Sequence, residues 1–385
     1  MSDLIVSLGV YISTATALFL LMWHSLRRVE RDATRVVAWE IVVGVLLLAV
    51  VAGLRWGTGY DHQSYYNQYM AMMDTGVFTR HNYEVGFEWI TRGFVACRSH
   101  YTLYFGFWAL LQAALLFIGL RDRKHLLPWL SLVLVLNIWY IHFMNTIRQG
   151  VVECLFVALV PLIAERRFWP YAVCVLLASL IHRAALLLLP VYLLCYAPLR
   201  RVGKPWLAIG CLSVSVLIGL KPVWLEVFRP VFQLAQPLGF GDWYQENMAD
   251  VLSGNFRWVT FGPARLMGLA AVVMVILLYP AVRKRFKEDK ALPVFYLAMV
   301  IGECLHQALI NTSFYFLRPT ELLTICTMVM IAYSCSLLWQ TRRRWQLAVL
   351  LALTITYVPI EILKASYTPT ETNVQVLYYF FFSPI

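Results

Sequence analysis

Five arginines, Arg55, Arg148, Arg183, Arg265 and Arg318, stand at or near the ends of long apolar stretches, apart from the basic clusters that join those stretches. An arginine offers a planar fork of N–H donors that matches phosphate oxygens. Several of them at one membrane depth suit a pyrophosphate whose lipid tail stays in the bilayer. Taken singly, each reads equally well as a side chain snorkelling to the interface or pairing with an acid. Arg148 carries the strongest argument. It enters the apolar run VVECLFVALVPL at its N-terminal end, where the helix dipole and the guanidinium are both positive and an anion is needed. A ligand would supply that anion, and so would a loop acid such as Asp61 or Glu84.

His182 is the foremost general-base candidate. The neighbouring Arg183 favours the neutral imidazole, which accepts a proton. The bland alternative is a structural histidine in an apolar setting. His306, one turn after Glu303, is held in reserve. The acids and aromatics of residues 55–100 make a second group. Asp61, Tyr65 and Tyr69 recur every four residues, as do Glu84, Glu88 and Arg92, so two short helices are expected, each with one polar face. Rings beside carboxylates and amides suit sugars, whose apolar faces stack and whose hydroxyls hydrogen-bond. The bland reading is amphipathic packing, with Glu88 and Arg92 as a local ion pair. No HExxH, Walker loop, GxSxG or usable GxGxxG occurs. No DxD or tight carboxylate cluster implies a metal, and no cofactor is expected.

The elements that must position these residues are membrane helices. The 385-residue chain is 61% hydrophobic and 14% charged, with mean hydropathy +0.67. That excludes an ordinary soluble domain. The net charge of +11 reads as a topology signal, not a nucleic-acid footprint. The eight cysteines show neither zinc spacing nor a disulfide framework. No cleavable signal peptide is evident; the apolar run at residues 4–23 reads as a first span. Bilayer-length runs fall at 4–23, 36–54, 101–120, 126–142, 148–164, 168–181, 184–199, 206–220, 262–282, 291–310, 317–340 and 345–363. The expected fold is an all-α polytopic membrane protein, one transmembrane domain over 1–385. It has about 12 transmembrane helices and two long extracytoplasmic loops, 55–100 and 221–261, that carry short helices.

Basic residues orient the bundle. Clusters at Arg27–Arg35, Arg121–Lys124, Arg166–Arg167, Arg200–Lys204, Arg283–Lys290 and Arg342–Arg344 fall in every second connection. The positive-inside rule puts them in the cytoplasm and both termini on the periplasmic side. Residues 168–199 test this. Two crossings keep Arg200, Arg201 and Lys204 inside, yet each leg has only ~14–16 residues, roughly 21–24 Å. The turn at His182–Arg183 is then expected at the floor of a cavity that the 55–100 loop roofs.

Five segments in order, GYDHQSYYNQY (59–69), YEVGFEW (83–89), NTIRQGVV (145–152), LIHRAALLLLP (180–190) and FYFLRPTELL (314–323), resemble the EpsG-type branch of the Wzy polysaccharide polymerases. The chain departs from that pattern at His62–Gln63, after Asp61, and at Pro319, after Arg318. The resemblance implies a bacterial inner-membrane glycosyltransferase that joins undecaprenyl-pyrophosphate-linked oligosaccharide repeats without nucleotide sugars. A chain-length regulator and a flippase are the further partners expected. The catalytic set is then His182, Arg148, Asp61 and Glu84. The substrate-binding set is Arg55, Tyr65, Glu88, Gln149, Arg183 and Arg318. Two rivals stay open: a lipid-linked-sugar flippase or solute transporter, which would use charges along the helix middles such as Glu40, Glu153 and Glu303, and a membrane acyltransferase.

Overall fold

The computed structural model describes residues 2–29, 38–79, 83–197, 203–220, 262–311, 314–367, 369 and 374–382. The second expected loop, 221–261, and Arg200 and Arg201 lie outside them. Within them the chain is almost wholly helical. Seven helices are long and apolar enough to cross a membrane: Asp3–Arg28, Tyr101–Gly119, Ile147–Ala164, Pro263–Arg285, Leu292–Leu309, Leu317–Gln340 and Arg344–Tyr367. Four shorter apolar helices, Trp39–Gly53, Phe168–Ser179, Arg183–Tyr196 and Pro205–Gly219, occupy further expected spans. Proline stands in the first turn of several of these helices, where its missing N–H would have had no partner.

One expected span is broken. The stretch 126–142 forms two helices, Leu127–Leu136 and Trp139–Asn145, bent by 63°. Asn137 makes the break: it is extended at φ −99°, ψ −178°. Its side chain caps Ile138 N and donates to the Thr354 carbonyl. The short second piece then turns at Thr146 into Ile147–Ala164.

The basic connections gather at one end. Arg123 binds the Asp289 carboxylate at 2.7 and 2.8 Å, and Arg285 donates to Gln340 at 2.9 Å. A cavity of about 600 Å³ there is lined by Arg123, Glu165, Arg285 and Asp289. Arg28 and His24 hold Glu40, which is fully buried, at 3.0 and 2.9 Å. Glu40 thus belongs to this basic end and is not a solitary charge in a helix.

At the opposite end lie the 55–100 segment and the C-terminal strand. Arg55–Trp56 pairs antiparallel with Tyr379–Phe380. Thr58 Oγ donates to the Leu377 carbonyl at 2.9 Å, and Tyr378 N donates to Ser7 Oγ at 2.9 Å. The two expected loop helices form at His62–Thr75 and Val85–Ala96. The first ends on Gly76, at φ 74°, whose N–H bonds back to Met72 as in a left-handed C-cap. Their aromatic faces build a core of their own, in which Tyr65, Tyr69, Phe78 and Phe87 meet Tyr104, Phe105 and Trp108. Burying rings of this size fixes the segment on the bundle.

Residues 168–196 form two apolar legs joined at a tight turn. The helix Phe168–Ser179 and a 3₁₀-type leg, Arg183–Tyr196, pack side by side. Tyr192 meets Phe168 at 5.0 Å and Arg166 lies 5.2 Å over Tyr196. The tip at His182 therefore faces the same end as the 55–100 segment.

Candidate functional site

Glu84 is the hinge of the site. It precedes the helix Val85–Ala96, whose first N–H groups dock on the hairpin tip: Gly86 N and Phe87 N both donate to the Leu180 carbonyl, at 2.8 and 3.3 Å. Gly86 permits this approach, because a Cβ there would stand 2.8 Å from that carbonyl oxygen. The Glu84 carboxylate then meets three partners. Arg148 Nη1 pairs with Oε2, the Arg183 backbone N–H donates to Oε1 at 3.1 Å, and His182 Nδ1 lies 3.5 Å from Oε1. Burial alone raises the Glu84 carboxyl. The nearby His182 ring, the Arg148 charge and the Arg183 N–H outweigh it and hold the carboxyl at about 2. The hairpin tip and the loop above it thus meet through these backbone bonds and this side chain.

Arg148 is caged. Its Nε donates to the Tyr65 hydroxyl at 3.4 Å, and its guanidinium lies 4.7 Å over Tyr83 and 5.2 Å over Phe87. The anion that its helix-terminal position demands is Glu84. A second pair repeats the arrangement: Arg318 Nη2 donates to Asp61 Oδ2 at 2.7 Å, with both side chains about 30% exposed. Asp61 is held in turn by its own N–H, which donates to Asn145 Oδ1 at 2.7 Å. Gly59, at φ 92°, lets the chain pass against Asn145. Arg183 completes the group with an exposed side chain that makes no hydrogen bond or ion pair among the described residues.

Three expected site residues fall elsewhere. Arg55 is 1% exposed and its guanidinium is consumed by the carbonyls of Ala52, Thr58 and Met144, with Phe105 stacked at 4.8 Å. It ties the C-terminal end of Trp39–Gly53 to Trp139–Asn145, with all three guanidinium nitrogens engaged inside the bundle. Glu88 pairs with Arg92, one turn on, at 2.6 and 2.9 Å, the local ion pair that its spacing allowed. Gln149 points inward, not to the outer group. Its amide lies 2.8 Å from Glu153 Oε1, 2.8 Å from Glu321 Oε2 and 2.9 Å from the Arg318 carbonyl.

That inner layer corrects the expectation of no tight carboxylate cluster. His142, Glu153 and Glu321 come from three helices, and their ligand atoms lie within 4.8 Å of one another. His142 Nε2 is 3.0 Å from both oxygens of Glu153. Among the described residues, these three are the group able to hold a metal. The linear signal for them is slight: Glu153 follows Gln149 by four residues and Glu321 follows Arg318 by three, so each shares a helix face with a polar residue. Nothing in the sequence joins either to His142.

Residues 39–381 match the EpsG family. The chain belongs to the EpsG family. The match covers all five segments above, the loop acids and every arginine of the outer group. EpsG proteins are Wzy-like polysaccharide polymerases of the membrane. The family is associated with glycosyl transfer of the polymerase type, and the many apolar helices of this chain fit a multi-pass member. No curated protein and no solved structure matches the chain.

Proposed function

We propose that this EpsG protein polymerises undecaprenyl-pyrophosphate-linked oligosaccharide repeats at the outer face of the bacterial inner membrane. The basic end faces the cytoplasm, and both termini lie on the periplasmic side. The observation that carries the reading is the pairing of Arg148 with Glu84 and of Arg318 with Asp61, beside the exposed Arg183. Two acids of one loop neutralise two arginines at helix ends, as the oxygens of a pyrophosphate would. Donor entry displaces those carboxylates, and the arginines take phosphate oxygens bidentately.

The growing chain is the donor. A hydroxyl oxygen of the incoming lipid-linked repeat attacks the anomeric carbon at the reducing end. The bond from that carbon to the pyrophosphate oxygen breaks, and undecaprenyl pyrophosphate leaves with the electron pair. Arg148, Arg183 and Arg318 stabilise the charge that develops there. His182 accepts the hydroxyl proton, oriented by Glu84. Released from the arginines, Asp61 and Glu84 meet sugar hydroxyls, and Tyr65 lines the approach.

The test is Arg148→Ala in full-length protein supplied with lipid-linked repeats, read as a ladder on a gel. The expected loss is about 100-fold or more in rate, the scale of removing one donor to a developing oxyanion. Normal long polymer from a well-expressed variant would remove the core of the reading. The same ladder separates a polymerase from a flippase or an acyltransferase, neither of which lengthens the glycan.

A further inference from the structure

The geometry points to a divalent-cation site at His142, Glu153 and Glu321, beneath the arginine–acid pairs. The three side chains come from the short helix Trp139–Asn145, from Ile147–Ala164 and from Phe314–Gln340. Their ligand atoms, one imidazole nitrogen and two carboxylate oxygens, already lie within 4.8 Å of one another. A transition cation binds such atoms at about 2.0–2.2 Å, so small rotations close the shell. An imidazole with two carboxylates suits Zn²⁺ or Mn²⁺.

Charge argues the same way. Glu153 is fully buried and Glu321 is half-buried, inside a helical bundle. Carboxylates in such a place must be neutralised. The Arg318 guanidinium is engaged by Asp61. A divalent cation with neutral His142 balances both acids. The donors present fall short of the acceptors. His142 Nε2 faces both Glu153 oxygens at 3.0 Å, and the single amide nitrogen of Gln149 faces three oxygens at 2.8–2.9 Å. Turning the Gln149 amide presents its oxygen as a fourth ligand.

The placement gives the cation a task. Each ligand lies three to five residues along its helix from a residue that forms or holds the outer group. His142 precedes Asn145, which holds Asp61; Glu153 follows Arg148 and Gln149; Glu321 follows Arg318. A cation here clamps the three helices that present the outer row and sets positive charge beneath it. The inference stands apart from the polymerase reading, because its readout is metal, not glycan.

Tag-free full-length protein in detergent is stripped with a chelator, then titrated with Zn²⁺ or Mn²⁺ alone, and bound metal is measured per chain. The expected result is one ion per chain and a rise in melting temperature that the chelator reverses. His142→Gln, Glu153→Gln and Glu321→Gln each weaken binding by more than about 10-fold, whereas Glu165→Gln, at the far end, leaves it unchanged. Wild-type protein that takes up neither ion, and whose melting is untouched by chelator, overturns the site and leaves the two carboxylates sharing a proton. Since that result comes from wild-type protein, misfolding of a variant cannot obscure it.

Discussion

Arg148 and Glu84, 64 residues apart in the chain, form a part-buried ion pair that joins a membrane helix to the loop above it. The pair is built from both sides. Arg148 sits where its helix opens onto the loop, and Glu84 sits where Val85–Ala96 docks on the hairpin tip. Each charge offsets the cost of burying the other.

Acid should loosen this pair first. The Glu84 carboxyl titrates at about 2 in the fold against 4.5 for an ordinary glutamate. A lowered carboxyl contributes stability that is fully present above its unfolded pKa and is lost as pH falls through the folded one. Melting temperature should therefore decline between pH 4.5 and about 2, and Glu84→Gln should flatten that decline. An equally steep acid limb in the variant would assign the loss to other groups.

Arg183 separates binding from folding. Its guanidinium is exposed and makes no ion pair among the described residues, so Arg183→Ala should leave the melting temperature within about 1 °C, as surface substitutions do. Donor KM should rise by about tenfold, the scale of a charge-assisted hydrogen bond. An unchanged KM would take Arg183 out of the phosphate-binding group.

Arg55 should show the reverse. Arg55→Met leaves the buried carbonyls of Ala52, Thr58 and Met144 without their donor. Each such group costs about 1–3 kcal/mol. The expected outcome is a sharp fall in folded yield and melting temperature, with the KM of the surviving protein unchanged. A stable variant with a raised KM would return Arg55 to the ligand.

His182 is read through rate. His182→Gln keeps a donor and an acceptor but removes the base, so kcat should drop by about 100-fold or more while donor KM holds. Full activity in this variant would move the proton to Asp61 or Glu84.

The sequence by itself determined the membrane class, the course of most apolar helices, the basic end and the break of residues 168–196 into two legs at His182. It also showed the two loop helices and the family to which the five segments belong. These are local matters: the length of an apolar run, a four-residue period, a cluster of arginines. Tertiary structure decided the partners. Arg55, Arg148 and Arg318 look alike in the sequence, each at the end of an apolar run. One is spent on carbonyls, and two are held by different acids of one loop. The break at Asn137 and the meeting of His142 with Glu153 and Glu321 were decided there too. The reason is physical: a buried charge takes its character from whatever lies within about 4–6 Å, and those neighbours are brought by packing from segments tens to hundreds of residues away.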